Sequence, residues 1–400
     1  MKKVILTGVA MMAFAAASFA QNTSTLSQSG TGNGATLGQT GSGMTITATQ
    51  TGLSNDAGVT QTGTAHKSTV TQNGVGTGNL ATVVQAGVSL NGLGQQSTVN
   101  QDGENNTATT SQLSIYDPQV INVNQTGVNN TALATQNDNA GPNNNIAITQ
   151  IGTAGGAGNQ ATVNQSDFST INSRAIVNQN GFNLTANINQ LGAVNNDARI
   201  DQRDAIAGQP GNGQTATINQ GDGSSSSSTN SDALIEQFSS FGPQTALINQ
   251  LGDNNSATIQ QNADAGPNNS ATIGQNGNNN IASIDQSDFN TIGATALVTQ
   301  TGNRNFANVD QLGTGSGSTA TVTQIGNVNS TELRQRGGVN NDAIINQNGN
   351  DNFVQGLGGV GTLAVQNGSN NLMTVNQTGG QVLNIRQVGT GNTGTVTQGL

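Results

Sequence analysis

Apolar residues in this chain alternate with polar ones instead of recurring at intervals of three and four. A glutamine sets the phase, from Gln28, Gln39, Gln50, Gln61 and Gln72 to Gln366, Gln377, Gln387 and Gln398, with steps of 11 often alternating with longer ones. Two residues before the glutamine stands Val, Ile or Leu almost every time (Val59, Val70, Ile148, Ile259, Val322), and four before it usually Ala. Six before it Asn is common, and two after it Gly, so the unit reads N-x-A-x-[VI]-x-Q-x-G. Period two is the strand signal: Ala, Val or Ile and Gln share one face, and Thr, Ser and Asn the other. Gly and Asn accept the positive φ that a tight turn demands. The spacing therefore predicts strands of five or six residues joined by tight turns, two strands to a coil of about 22 to 27 residues, and about 15 coils. A helix is excluded by the missing three-four recurrence and by the abundance of Asn, Gly and Thr.

A glutamine on the apolar face must find partners for its amide. Stacked coils supply them, because equivalent residues then lie about 4.8 Å apart and each amide bonds the copies above and below. One Val or Ile per strand offers roughly 2 kcal/mol of burial, less than the ordering cost of the strand. A single repeat is therefore expected to be unfolded and an array to gain stability with number. The expected class is all-β, a β-solenoid of strand-turn-strand coils of amyloid type, in a rod of roughly 70 Å. The expected ladder and assembly positions are Gln125, Asn130, Gln136, Gln250, Asn255, Gln261, Gln275, Asn280, Gln286, Gln300, Asn305 and Gln311. The expected core positions are Ala132, Ala257, Ile259, Ala282, Ile284, Ala307 and Val309.

A longer repeat overlies the short one. The stretch NQTGVNNTALATQNDNAGPNNNIAITQ from Asn124 is echoed by NQLGDNNSATIQQNADAGPNNSATIGQ from Asn249, and QSDFSTINSRAIVNQ from Gln165 by QSDFNTIGATALVTQ from Gln286. This reads as duplication of a block of about five coils, with loops such as Asn137 to Asn145 and Gly221 to Asp232 leaving the coil at turns. Loop positions are expected to recur on the same edges of the rod.

Composition narrows the alternatives. Hydrophobic residues are 32% and charged residues 8% of the 400, too few for a large globular core, so only the periodicity separates this chain from a disordered one. Lys2 and Lys3, the apolar run Val4 to Ala17 and Ser18-Phe19-Ala20 form a secretory signal with cleavage expected after Ala20, which leaves 21–400 as the repeat array. The run is too short for a membrane span. With a net charge of −10 and no clustered Lys or Arg, nucleic acid is not an expected partner. There is no Cys, so no disulfide staples the fold.

The segments QTGVNNTALATQ (Gln125 to Gln136), QLGDNNSATIQQ (Gln250 to Gln261) and QNGNNNIASIDQ (Gln275 to Gln286) match Q-x-G-x-x-N-x-A-x-x-x-Q, and at this unit the chain resembles the curlin repeat of curli-type functional amyloid subunits. The resemblance covers nearly all of 21–400. It implies export in an unfolded state through an outer-membrane channel, a nucleating subunit as partner, and self-assembly into a homopolymeric extracellular fibre of biofilm. Two features depart from the family pattern: Gln28 follows the expected cleavage site by only eight residues, and the array is several times longer than a common curlin subunit.

Catalytic material is scarce. The single His66 occupies an Asn-like turn slot, where a structural role is expected, and with no Cys neither a nucleophile-base pair nor a zinc site is expected. Turn acids such as Asp56, Asp138, Asp167, Asp204, Asp222, Asp264 and Asp288 read as solvated residues that moderate aggregation, since the G-G-x-G-x-D tandem of calcium-binding β-rolls is missing. The glycines of Gly74 to Gly78 fit no phosphate loop, and Ser224 to Ser228 reads as a flexible insertion. No cofactor is expected, and the chain is read as a non-enzyme. The alternatives are a secreted glycan-active enzyme, for which candidate residues are lacking, a monomeric solenoid adhesin or fibre nucleator, against which the repeat running to Gln398 argues by leaving no cap, and an ice-binding solenoid. Outward Thr pairs such as Thr69/Thr71, Thr321/Thr323 and Thr395/Thr397 suggest the latter, but Asn and Ser interrupt them.

Overall fold

The computed structural model describes residues 21–399, apart from 75, 89–91, 115–117, 138–139, 153–156, 168, 205–212, 223–227, 240–241, 262–265, 289–290, 314–315 and 360–361. The expected signal segment 1–20 lies outside the described residues, as do parts of the loops at 137–145 and 221–232 and most of Ser224 to Ser228.

Every described element is a β-strand, and every strand pairing is parallel. The chain winds as a β-solenoid in which successive strands belong alternately to two sheets. Sheet I begins with Thr23–Thr31 and sheet II with Gly34–Ser42. Sheet II has 15 strands, one per coil. Sheet I has 17, because its last two levels are each broken in two, Phe353–Gln355 with Ala364–Ser369 and Val382–Asn384 with Arg386–Thr390. Ala193–Val194 and Ser228–Thr229 pair separately at a corner.

Register follows the repeat residue by residue: Ala198 faces Ala233, Ile200 faces Ile235 and Gln202 faces Gln237. A slip by one residue would turn every Val and Ile to solvent, so the hydrophobic alternation itself pins the register. Between the sheets lies a thin core of Ala and Val or Ile, including Ala132, Ile148, Ile218 and Val322.

Strands are longer than expected, and coil lengths vary more widely. Strands reach nine residues, as in Thr23–Thr31 and Gly34–Ser42, because pairing continues through the glycine two places after the glutamine; Gly30 still pairs with Gly52. Ladder glutamines are separated by 21 residues between Gln366 and Gln387 but by 35 between Gln202 and Gln237, where an insertion intervenes.

The expectation that duplicated loops recur on the same edge is corrected. The segment Asn137 to Asn144 leads into Asn145–Gly152 of sheet I, whereas its echo leads into Ser270–Asn276 of sheet II. From Val120–Val128 to Thr245–Leu251 the strands alternate sheets through an odd number of steps, so the duplicated block begins on the other sheet and its loops emerge at the opposite corner.

Candidate functional site

The candidate site is the set of side-chain columns that run the length of the stack. Gln125 lies on sheet I, accepting at Oε1 from Gln101 Nε2 (2.8 Å) and donating from Nε2 to Gln150 Oε1 (2.9 Å). Gln261, Gln286 and Gln311 occupy consecutive coils of the same column, joined at 2.8 and 2.7 Å. On sheet II Gln136 accepts from Gln112 and donates to Gln165, and Gln250, Gln275 and Gln300 follow one another at 3.0 and 2.9 Å. The first column is unbroken from Gln28 to Gln387 and the second from Gln39 to Gln398.

Nearly all of these amides have one possible orientation, because the second N–H donates across the core to a backbone carbonyl of the facing sheet. For Gln125 this is Thr107 O at 2.9 Å, and for Gln275 Ser256 O at 3.0 Å. An oxygen turned toward that carbonyl would be repelled. Every ladder bond therefore points the same way, Nε2 to the Oε1 of the following coil, and the columns are polar along the rod.

The apolar positions align in the same manner. Ala257, Ala282 and Ala307 stack on sheet I, as do Ile259, Ile284 and Val309, while Ala132 lies on sheet II; all are at most 2% exposed.

Asparagines complete the corners. Asn130 donates its backbone N–H and Nδ2 to Asn106 Oδ1 (3.1 and 3.0 Å), and Nδ2 also reaches back to Thr126 O. Asn255, Asn280 and Asn305 form a second column, each Oδ1 accepting the backbone N–H of the next coil. His66 is a buried substitute in this slot: its Nε2 lies 2.9 Å from Gly87 O and 3.2 Å from Thr62 O, and its Nδ1 accepts from Gln95 N. Both carbonyls need a donor, so the proton sits on Nε2.

Glycine has a role that the periodicity alone did not assign. Gly127 has φ +96°, and a Cβ there would lie 1.8 Å from the Gly152 carbonyl oxygen; equivalent positions such as Gly277 and Gly302 are closed in the same way. The glycine column thus sets the stacking distance at the corner as well as the turn. Its signal in the sequence was the glycine at a fixed offset in repeat after repeat.

Where insertions replace the tight turn, the corners are less well satisfied. Gln95, Gln119, Gln214 and Gln244 stand in place of asparagine, and their buried side-chain oxygens find no partner among the described residues.

Charges lie outside these columns. On sheet I Arg174 pairs with Asp197, Arg199 with Asp201 at 2.7 Å, and Arg334 with Asp310 at 2.9 Å. Burial, in the first place, pushes the Asp285 carboxyl above its usual range, opposed by a hydrogen bond from Ser287. Burial likewise raises Asp232, with the neighbouring Asp197 adding to it. Among the described residues no three His, Asp or Glu side chains gather where they could share a metal ion. Asp138, Asp264 and the side chain of Asp204 lie outside the described residues. No described helix is long and apolar enough to cross a membrane.

The model of the curlin-associated repeat matches residues 53–88, 265–288 and 294–326. No match was found among the curated proteins. The first matched region spans strands of both sheets, and the other two contain Gln275, Gln286, Gln300 and Gln311 with the corner Asn280 and Asn305. Three regions of this parallel two-sheet winding with its glutamine columns are thus curlin-associated repeats.

Proposed function

We propose that this protein is the structural subunit of an extracellular curli-like amyloid fibre, which grows when copies stack edge to edge and extend both sheets. The observation that carries the reading is that both glutamine columns run unbroken through every described coil, so each level presents nearly the same face to the next. The first described strand, Thr23–Thr31, is exposed at every residue, and among the described residues its outer edge pairs with no strand. An incoming copy would continue the backbone pairing, the Gln and Asn columns and the apolar rows together.

In this reading residues 1–20 direct secretion and 21–400 form the fibre, on the surface of or outside a bacterial cell, in biofilm matrix and in adhesion. A nucleating subunit and an outer-membrane channel are the partners that curlin-type assembly calls for. The role is structural, and the reading assigns no residue to catalysis.

The test is thioflavin fluorescence with electron microscopy on 21–400 diluted out of denaturant. A lag followed by rising signal and unbranched fibrils is expected. A soluble β-rich monomer that persists for days would overturn the reading.

A further inference from the structure

The two outer faces of the solenoid differ in chemistry. Every Lys or Arg in the described strands stands on sheet I, from Lys67 through Arg174, Arg199 and Arg334 to Arg386. The strands of sheet II contain no basic residue, and their only acids are Asp56 and Asp342. The rest of that outer face is mainly Thr, Asn, Ser and Gly, interrupted by half-buried apolar residues such as Val84, Leu247 and Leu372 and by exposed ones such as Leu80, Leu133 and Ile344. A chain with a net charge of −10 has thus kept one long face almost free of charge.

We propose that the outer face of sheet II is a lateral contact between two copies of this chain, packed face to face, with sheet I left in solvent. The proposal rests on the fibre reading and adds to it a second, sideways association.

Three considerations favour a second copy as the occupant. Like meets like in a face-to-face pair of identical chains, so each charge on the face risks meeting its own kind or being stripped of water; sheet I, with its alternating Asp and Arg, would incur this at many coils and sheet II at two. Threonine hydroxyls and asparagine amides each donate and accept, so a face built from them complements itself. Short side chains on a regular parallel sheet also make a flat surface on which strand follows strand at a constant step, suited to close packing of two sheets. The area is ample. Fifteen strands at about 4.8 Å, each about 20 Å long, offer about 1,400 Å² per copy, where about 800 Å² per partner is usual for a specific interface.

The test compares two sets of substitutions at outward positions. Thr217→Lys, Thr272→Lys and Thr321→Lys place charge on alternate coils of sheet II, and Thr69→Lys, Asn122→Lys and Thr258→Lys place it on three separate coils of sheet I. Fibre width is read by electron microscopy and elongation by thioflavin fluorescence. Wild-type fibres are expected to be two solenoids wide, the sheet II set to give threads of half that width that still elongate, and the sheet I set to match wild type. Wild-type fibres one solenoid wide, as a face reserved for a glycan or for ice would leave them, would overturn the proposal, and so would equal thinning by both sets.

If the wild-type chain forms no fibre, the fibre reading fails separately, and sedimentation equilibrium of the folded soluble chain decides this one. A dimer dissociated by the sheet II lysines supports it, and a monomer refutes it. Should the triple variant lose its β-sheet circular dichroism, the single Thr272→Arg repeats the comparison.

Discussion

Replacing Gln125 by leucine tests the ladder with little change of side-chain size. The amide makes three bonds: it accepts from Gln101 Nε2 at 2.8 Å, and donates to Gln150 Oε1 and to Thr107 O, both at 2.9 Å. These losses are unequal. Gln101 keeps its contacts with Leu80 O (2.9 Å) and Asn106 O (3.0 Å), so its nitrogen is not stranded. Gln150 Oε1, on a fully buried residue, loses its ladder donor, and Thr107 O loses a side-chain donor. An orphaned buried acceptor costs about 1–3 kcal/mol and a lost ordinary bond about 1 kcal/mol, which gives about 2–4 kcal/mol for Gln125→Leu.

Gln125→Glu should be worse near neutral pH, because a carboxylate has no proton for either acceptor. Its penalty is carried by the charged form, so the folded state raises its pKa and stability is recovered as pH falls through that raised value. The assay is urea unfolding of the soluble chain followed by circular dichroism, with hydrogen exchange over residues 96–152 to locate the loosened coils. Thr126→Leu, on an exposed neighbour, is the control. If Gln125→Leu costs no more than the control, or if acid fails to rescue Gln125→Glu, the amide columns are not what holds the coils together.

Three further outcomes follow from named contacts. Burial holds the Asp285 carboxyl above its usual range, so its charge opposes folding above that raised pKa and the cost is relieved on acidification; Asp285→Asn should raise stability at neutral pH and flatten its pH dependence, read by urea midpoints across the acidic range. Gly127→Ala should cost about 3 kcal/mol or more, since the Cβ meets the Gly152 carbonyl oxygen at 1.8 Å and φ is positive; Gly274→Thr, at a non-positive φ where a Cβ meets nothing within 4 Å, should be neutral or mildly stabilising in unfolding of the soluble chain. His66→Asn should be tolerated, because an amide supplies a donor for the Thr62 and Gly87 carbonyls and an acceptor for Gln95 N, whereas His66→Ala leaves all three unpaired and should cost about 2 kcal/mol or more by the same measurement.

The winding and its columns were legible because the repeat keeps phase: a glutamine two places after a Val or Ile, many times over, leaves few physical options except stacking. What escaped was parity. Counting from Gln125 through Gln136, Gln150, Gln165, Gln179, Gln190, Gln202, Gln220 and Gln237 to Gln250 makes an odd number of strand-turns, so a duplicated block must change sheets, yet the similarity of its loops suggests the same edge. The segregation of charge was hidden for the same reason. Lys67, Arg174 and Arg334 look scattered until alternate strands are assigned to alternate sheets. The direction of the amide columns was not readable either, since it depends on carbonyls such as Thr107 O that reach each glutamine from the facing sheet.

Parity also explains how the rod tolerates its insertions. Between Gln28 and Gln179 the tight glycine-asparagine turn lies mainly where sheet I passes into sheet II, with Asn33, Asn55, Asn79, Asn106, Asn130 and Asn159 in one column. The return corner carries Met44, His66, Gln95 and Gln119, with longer loops at the latter two. Beyond Gln250 the arrangement is reversed: Asn255, Asn280, Asn305, Asn329 and Asn352 pin the return corner, and between Gln261 and Gln324 the insertions leave by the other. The exchange overlaps. The return column already bonds at Asn144 to Ser173 and at Asn196 to Ser231, while the first column breaks where Asn159 Oδ1 accepts from Leu184 N and resumes at Asn269. Gln214 and Gln244 then occupy the loosened first corner, at levels where the return corner is bonded. From Asn130 to Asn352, then, a level that loosens one corner keeps the other bonded to its neighbour. That condition lets loops of varied length interrupt the winding, since a coil with both corners open would lose its side-chain bonds at the turns and keep only its strand pairing, its two glutamines and a thin apolar row to offset the ordering of its strands.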